Sequence, residues 1–476
     1  MTVEYDLVVI GGGSAGLVAA SAGAQINAKV ALIEKENKLG GDCLHYGCVP
    51  SKSIIHAAQI AYDVKNANRY GIYTNEPTIK LEEALGHVHA VIDTIQEHDS
   101  TERFEKLGVE VIYGKGQFTS SKTFEINGRY LQARAFLIAT GSRPAVPPVP
   151  GLKEAGFLTN EQIFSIQSRP ESLAVIGAGP IGCELGQSFS RLGTKVTIIN
   201  SRDVIMPQED PEAAMVVQKQ MEAEGIRILS NSRAQKVEVI NGKKHITAGN
   251  ETVVVDEILL STGRTPNVDS LGLEAASVSY DKKGIKVDAK LRTSNKRIYA
   301  AGDVIGGYQF THVAGYEAGV AMQNALIFPT KKADYRVIPW ATFTNPELAR
   351  VGLTEKQARD RYGDDIYVLR QNFDGVDRAL AESAGNGFGK FITKSNGEIL
   401  GAHIVGLHAG ELIHEAVLAM SNKLKVSALQ CIHVYPTLSE ISPKTALQLT
   451  KQKYAKNTFL QNVLRKFFNW RRSIAG

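Results

Sequence analysis

The chain has 476 residues, of which 43 % are hydrophobic and 22 % charged, with four cysteines and a formal net charge of +5. That length predicts roughly two to four domains; no apolar run of about 18 residues occurs, which excludes a spanning helix, and four cysteines in so long a chain exclude a disulfide scaffold. The surplus charge sits in residues 451–476, which hold seven basic and no acidic side chains, while the rest of the chain carries 47 basic against 49 acidic residues and offers no basic groove for nucleic acid.

The chain begins MTVEYDLVVIGGG, with acids ahead of a short apolar run and no basic leader. This predicts a strand rather than a secretion signal, and a cytoplasmic protein. The strand enters G-x-G-x-x-G at Gly11, Gly13 and Gly16, and a second strand, KVALIE, ends at Glu34. In such a turn the first glycine permits the tight bend, the second lets a pyrophosphate approach the backbone, and the third lets helix pack on strand. Glu34 is placed to accept a hydrogen bond from a ribose hydroxyl.

Next comes GGDCLHYGCVPSK, with Cys43 and Cys48 five residues apart. The following VPSKSIIHAAQIAYDV predicts a helix with Pro50 in its first turn, where proline is tolerated. Residues five apart in a regular helix lie about 8–9 Å apart between Cα atoms. A disulfide needs about 4.4–6.8 Å. A bridge therefore demands a distorted turn, for which Gly47 supplies freedom, and a constrained bridge at a helix N-terminus is easily reduced. A soft-ion site formed with His45 is the second reading, although no further cysteine pair completes a closed zinc site. A structural staple is the third, although so short a loop constrains little. His45 itself reads either as a substitute base or as a solvent-facing polar residue.

FLIATGSRP, from Phe136 to Pro144, is an apolar strand ending in Thr-Gly, followed by a proline-rich linker. At Ser172 the opening pattern returns as SLAVIGAGPIG, with Gly177, Gly179 and Gly182 displaced by 166 residues from the first set, and the strand KVTIIN follows. Two copies in strand–turn–helix context imply two bound dinucleotides. Asn200 stands where the first copy has Glu34, and Arg202 follows. A carboxylate there would repel a 2′-phosphate, whereas Asn beside Arg would not. The first turn thus suits FAD and the second leans toward NADPH over NADH. ILLSTGRTP, from Ile258 to Pro266, echoes the earlier Thr-Gly strand end.

With GGGSAG, GGDCLHYGCVPSK, ATG, GAGPIGCE, TGRTPN, YAAGDV and YPTLSE all present, the chain resembles the flavin-dependent pyridine nucleotide–disulfide oxidoreductases over residues 4 to 445. That family includes dihydrolipoamide dehydrogenase, glutathione reductase and mercuric reductase. The resemblance implies an α/β fold with two Rossmann-like domains and a C-terminal α+β dimerisation domain. It divides the chain into an FAD domain (1–148 and 271–338), an NAD(P)H domain (149–270), an interface domain (339–450) and a basic tail (451–476). It implies FAD held by Gly11, Gly13, Ser14, Ala15, Gly16, Glu34, Lys35, Gly41, Asp42, Lys52, Ala139, Thr140, Gly141 and Asp303. NAD(P)H would be held by Gly177, Gly179, Ile181, Gly182, Asn200, Arg202 and Gly263, with no metal. Electrons would pass from NAD(P)H through FAD to Cys48 and then Cys43, the interchange thiol, with Lys52 and Glu184 paired beside the flavin. The acceptor would be a small molecule or small thiol, and a homodimer would complete each site with the partner's PTLSE segment.

The pattern departs at CIHVYPTLSE: the family's histidine before Pro-Thr is Tyr435, with Glu440 retained. An imidazole can carry a proton between thiols near neutral pH, whereas a phenol titrates near 10 and a neighbouring carboxylate raises it further. Slow turnover of lipoamide and glutathione is the expectation, and His433, two residues earlier, reads as a hydrogen-bonded structural residue. The alternatives are a mercuric reductase-like or other disulfide reductase, a dihydrolipoamide dehydrogenase, a flavin-level metal or quinone reductase, and a non-catalytic nucleotide-sensing subunit. In the tail, Phe459, Leu460, Val463, Leu464, Phe467 and Phe468 recur at helical spacing with basic residues between them. That pattern predicts a basic amphipathic helix suited to peripheral membrane contact through residues 455–476, or to packing on its own dimer.

Overall fold

The computed structural model describes residues 3–475. The chain forms two compact units, one of residues 1–203 with 224–334 and one of residues 204–223 with 335–476.

The first unit is built on the sequence repeat. Tyr5–Ile10 (β1) is almost wholly buried, as an apolar run covered on both faces must be. It pairs in parallel with Val30–Glu34 (β2) on one side and with Ala133–Ile138 on the other, in register Leu7 to Val30 and Leu7 to Ala135. Val109–Tyr113 continues the sheet beyond β2, and Ile298–Ala300 pairs in parallel with Phe136–Ile138. The second copy repeats this plan: Ser172–Ile176 lies between Lys195–Ile199 and Glu257–Leu260, all parallel, with Arg227–Leu229 outermost. The two Thr-Gly echoes then meet, because Ser142–Pro144 and Arg264–Pro266 pair antiparallel as a two-stranded ribbon. The ribbon ties the ends of the two parallel sheets together, and the residues around it come from both halves of the repeat.

The second unit is a five-stranded antiparallel sheet of Pro339–Thr342, Glu347–Gly352, Ile399–Gly406, Phe388–Lys394 and Ile366–Asn372, in that order. The helix Pro211–Ala223 belongs to this unit, and its leading segment is held by buried charges. Lys390 donates to Asp210 (2.9 Å) and Glu212 (3.0 Å), and Trp340 Nε1 donates to Glu209 (2.7 Å). The unit ends in two helices, Ile441–Lys456 and Thr458–Ser473. No helix among the described residues is long and apolar enough to cross a membrane.

Candidate active site

The first glycine turn joins β1 to the helix Ser14–Gln25 (α1). Gly11 has φ +110°, and a Cβ on Gly16 would stand 1.8 Å from the Gly11 carbonyl oxygen, so helix and strand touch backbone to backbone. Among the described residues no side chain caps α1 and no acid lies in its first turn. Its N–H groups and positive dipole end therefore face whatever enters the turn. Glu34 is buried at the end of β2, where one carboxylate oxygen accepts the Gly12 N–H (2.6 Å) and the other the Glu36 N–H (2.9 Å). The carboxylate is thus fixed beside the turn, with lone pairs left for a ribose. Gly41, at φ +62°, packs so closely on Gly13 that a Cβ there would lie 2.7 Å from the Gly13 Cα. Lys35 points away on the surface, near Glu36 (3.5 Å).

On the other side, Thr140 and Asn267 exchange two hydrogen bonds, Thr140 Oγ1 to Asn267 O (2.7 Å) and Asn267 Nδ2 to Thr140 O (2.9 Å), and Gly141 has φ +67°. Ala139 donates its N–H to Ile10 O (2.8 Å) and extends the sheet to the turn. Asp303 accepts from Ser142 Oγ (2.6 Å), and Arg264 lies 3.2 Å from Asp42 and 3.5 Å from Asp303. Burial pushes the Asp303 carboxyl above its ordinary range. An open helix end for a pyrophosphate, a fixed carboxylate for a ribose and a buried acid beyond them fit FAD.

The second turn is similar. Gly177 has φ +110°, a Cβ on Gly182 would stand 2.1 Å from Gly177 O, and the helix Pro180–Arg191 begins with proline after Gly179 and has no side-chain cap among the described residues. Ile181 is partly exposed in its first turn, and Gly263, at φ +118°, lies just before the ribbon. Asn200 is buried and closes a small loop, accepting the Arg202 N–H (3.2 Å) and donating to Arg202 O (2.9 Å). Arg202 is exposed. This uncharged, uncapped cradle fits a pyridine dinucleotide.

The two cysteines lie at a break between the helices Gly41–His45 (α2) and Cys48–Lys65 (α3). Gly47 makes the break: a Cβ there would come within 3.2 Å of the Cys43 Cα and 3.0 Å of Asp42 O. The expected distorted turn is therefore present, and what glycine supplies is room for close approach, since its φ is −119°. Both cysteines are free thiols here. Thr311 Oγ1, at the start of the helix Thr311–Leu326, lies 3.1 Å from Cys43 Sγ and 3.3 Å from Cys48 Sγ. The Cys43 hydrogen bond, the Thr311 hydroxyl and the Lys52 charge bring the Cys48 thiol down to about 6, against its partial burial. Cys43 is pushed up, chiefly by its hydrogen bond to Cys48 and by burial. The pair is thus polarised, with the negative charge on Cys48. One turn into α3, Lys52 Nζ donates to Glu184 (2.8 Å).

His45 departs from the solvent-facing reading. It is buried, and Nε2 bonds to Leu39 O (2.8 Å). Burial lowers its pKa and makes it a weaker base than a free imidazole. Among the described residues no three metal-ligating side chains are grouped to hold an ion.

In the second unit Tyr435 is exposed, and its hydroxyl donates to Asp377 (2.8 Å). That bond, more than Glu440, raises the phenol above its usual value. Glu440 instead lies near Lys444 (3.8 Å). His433 is held between Glu415 (3.0 Å) and Cys431 O (2.8 Å), as a structural histidine would be.

Several neighbours of these groups carried no sequence signal. Thr311 and Asp377 are ordinary residues far along the chain from their partners, and Ser142 stood unremarked inside FLIATGSRP. Arg264 stood inside a quoted motif but was not singled out. Arg191 joins α3 to the second glycine-turn helix, with bonds to Glu224 (2.7 Å) and Gln59 (2.6 Å) and its guanidinium 4.0 Å above the Tyr62 ring.

Residues 5–318 match the pyridine nucleotide-disulphide oxidoreductase family, and residues 338–446 match its dimerisation domain. The chain belongs to this family: it is an NAD(P)H-dependent flavoprotein disulfide oxidoreductase that uses FAD and carries the domain through which the family forms homodimers. It is 36 % identical over 456 residues to a mercuric reductase of Staphylococcus aureus, covering 94 % of this chain and 83 % of that one. It is 34 % identical over 458 residues to a dihydrolipoyl dehydrogenase of Chlamydia pneumoniae, covering 94 % and 98 %. Among solved structures it is similar to the HOCl-induced flavoprotein disulfide reductase RclA from Escherichia coli, with a TM-score of 0.84 and 27 % identity over 93 % of this chain and 99 % of that one.

Proposed function

We propose that the enzyme takes electrons from NADPH and delivers them through Cys48 and Cys43 to a soft metal ion such as Hg(II), in preference to a bulky disulfide. FAD, when bound, supplies the hydride acceptor and the electron route to the sulfurs. The chain's own part follows from its geometry. The positive helix ends would hold the two pyrophosphates, and Glu184 holds the Lys52 cation over α3. Thr311 keeps both sulfurs on one hydroxyl, and Cys48, its thiol lowered, would stand as the thiolate once the sulfurs are reduced. FAD would lie in segments 1–148 and 271–338, and the nicotinamide in 149–270. In balance, NADPH and Hg(II) become NADP⁺, Hg(0) and a proton.

The observation that carries the choice of acceptor is the Tyr435–Asp377 bond. Thiol–disulfide exchange needs a proton for the leaving thiol, and a phenol held above its normal range by a carboxylate cannot shuttle one near neutrality. A metal ion bound at the sulfurs would leave, once reduced, without needing that proton. In a homodimer Tyr435 of each protomer would complete the partner's site. The similarity to mercuric reductases supports the same class of acceptor. We also propose that the enzyme works in peripheral contact with a membrane, through residues 455–476.

The test is an anaerobic NADPH titration of the flavoprotein followed by turnover with Hg(II), lipoamide, glutathione disulfide and a quinone. Hg(II) turnover should exceed that of either disulfide by at least about tenfold, and Tyr435→His should raise disulfide turnover by about 10²-fold. Cys43→Ser should abolish Hg(II) turnover and leave flavin reduction by NADPH intact. Brisk turnover of lipoamide or glutathione disulfide by the unaltered enzyme would refute the proposal. In the reduced enzyme Cys48 is thiolate above pH about 6 and loses that charge as the pH falls through it. Alkylation of Cys48 by iodoacetamide should therefore slow about tenfold per pH unit below that value, and a midpoint near that of a free cysteine would contradict it.

A further inference from the structure

The final helix, Thr458–Ser473, has no buried residue and no acidic residue in its first turn. Its N-terminus is a built elbow rather than a frayed end. Asn457 Oδ1 accepts the Leu460 N–H (2.9 Å), and Gln461 Nε2 donates to the carbonyls of Tyr454 (2.8 Å) and Ala455 (3.0 Å). Leu464 and Phe468 line a cleft shared with Tyr454 and Ala455. Phe468 is nevertheless 53 % exposed, and Phe459 (78 %), Val463 (44 %), Phe467 (43 %) and Trp470 (56 %) are open to solvent as well. Phe459, Val463, Phe467 and Trp470 lie outside the cleft. At 3.6 residues per turn these four and Leu460 fall within an arc of about 100°. Arg465 and Arg472 project well outside that arc, and Lys466 and Arg471 stand at its two edges, where a long side chain can lift its charge to the surface.

We infer that this helix docks flat on an anionic phospholipid surface, with Phe459, Leu460, Val463, Phe467 and Trp470 entering the headgroup boundary and the arginines and lysine pairing with lipid phosphates. This rests on the reading of residues 455–476 as a peripheral membrane contact and adds the lipid chemistry and the face that meets it. Charge complementarity selects the occupant. Residues 451–476 hold seven cations and no acid, whereas the remainder of the chain carries a slight acidic excess. Such a patch is attracted to anionic lipid. A second copy of the helix, equally cationic, would be repelled. An apolar face flanked by cations is the composition of an interfacial helix, and this helix of 16 residues is too short and too charged to cross a bilayer.

The experiment is sedimentation of the full-length, FAD-loaded enzyme with vesicles of phosphatidylcholine alone and of phosphatidylcholine with phosphatidylglycerol. Sedimentation with the anionic vesicles should be about tenfold greater and should fall in high salt. Phe467→Glu with Trp470→Glu, and separately Arg465→Gln with Lys466→Gln, should each reduce it at least about fivefold, with NADPH-dependent flavin reduction unchanged. Equal sedimentation with both vesicle types would overturn the anionic-lipid inference and leave membrane contact standing, whereas none with either would overturn both. Conversion of the dimer to monomer by the Phe467/Trp470 variant would overturn the inference by placing the helix in the subunit interface. Retention on RNA with no vesicle binding would overturn it in favour of nucleic acid.

Discussion

The two glycine turns are copies 166 residues apart, yet they have diverged at the points that would face a ligand and kept the points that touch the backbone. Gly11 and Gly177 share φ +110°, and Gly16 and Gly182 share the contact with the preceding carbonyl. These positions are set by the packing of helix on strand, which any dinucleotide requires. Beyond them the copies part. Glu34 brings a fixed negative charge to the first turn, while Asn200 spends its amide on the Arg202 backbone and leaves the second turn uncharged. The α1 helix ends in Gln25, exposed and bonded only to Ser21 among the contacts seen; its counterpart is Arg191, buried and paired with Glu224. One scaffold thus serves two cofactors, and its second copy also braces the cysteine helix.

The comparison breaks most sharply at Gly16. A methyl group there meets the Gly11 carbonyl oxygen at 1.8 Å, so Gly16→Ala should yield protein without bound FAD, read from flavin absorbance after purification. Gly179→Ala meets nothing within 4 Å among the described residues and should fold normally and keep its FAD. Next in size, Arg191→Ala strips the cation from the buried Glu224 carboxylate and should cost about 3–5 kcal/mol in urea unfolding. The matched change Gln25→Ala should stay within about 0.5 kcal/mol. Equal effects at the two positions would show that Arg191 braces nothing. The smallest effect concerns choice of cofactor. Asn200→Glu, which copies Glu34, should move the ratio of kcat/KM for NADPH over NADH toward NADH by about tenfold, or about 1.4 kcal/mol. An unchanged ratio would remove the basis for the NADPH preference.

Much of the site was legible because its recognition is local. A G-x-G-x-x-G turn, a carboxylate closing the next strand and two cysteines at a helix entrance each act within a few dozen residues, so spacing alone exposes them. The Lys52–Glu184 pair was reached through resemblance to a family rather than through spacing. Thr311 gave no signal, since nothing in a threonine 263 residues from Cys48 marks it as that sulfur's partner. His45 failed for a related reason: proximity to two cysteines suggested chemistry, while its burial against Leu39 O was a matter of packing.

Two glycine turns, a cysteine pair at a helix entrance and a cationic amphipathic tail were readable along the chain, because glycine conformation, thiol spacing and helical periodicity are properties of short segments; that Tyr435 stands in place of a histidine came from resemblance to the family. That Asp377 rather than Glu440 holds Tyr435, and that the rest of its unit leaves the tail's apolar face uncovered, came only with the packed structure. Those outcomes depend on which groups, distant along the chain, the fold brings side by side or leaves apart, and that is settled when the sheet and helices pack rather than by the order of residues.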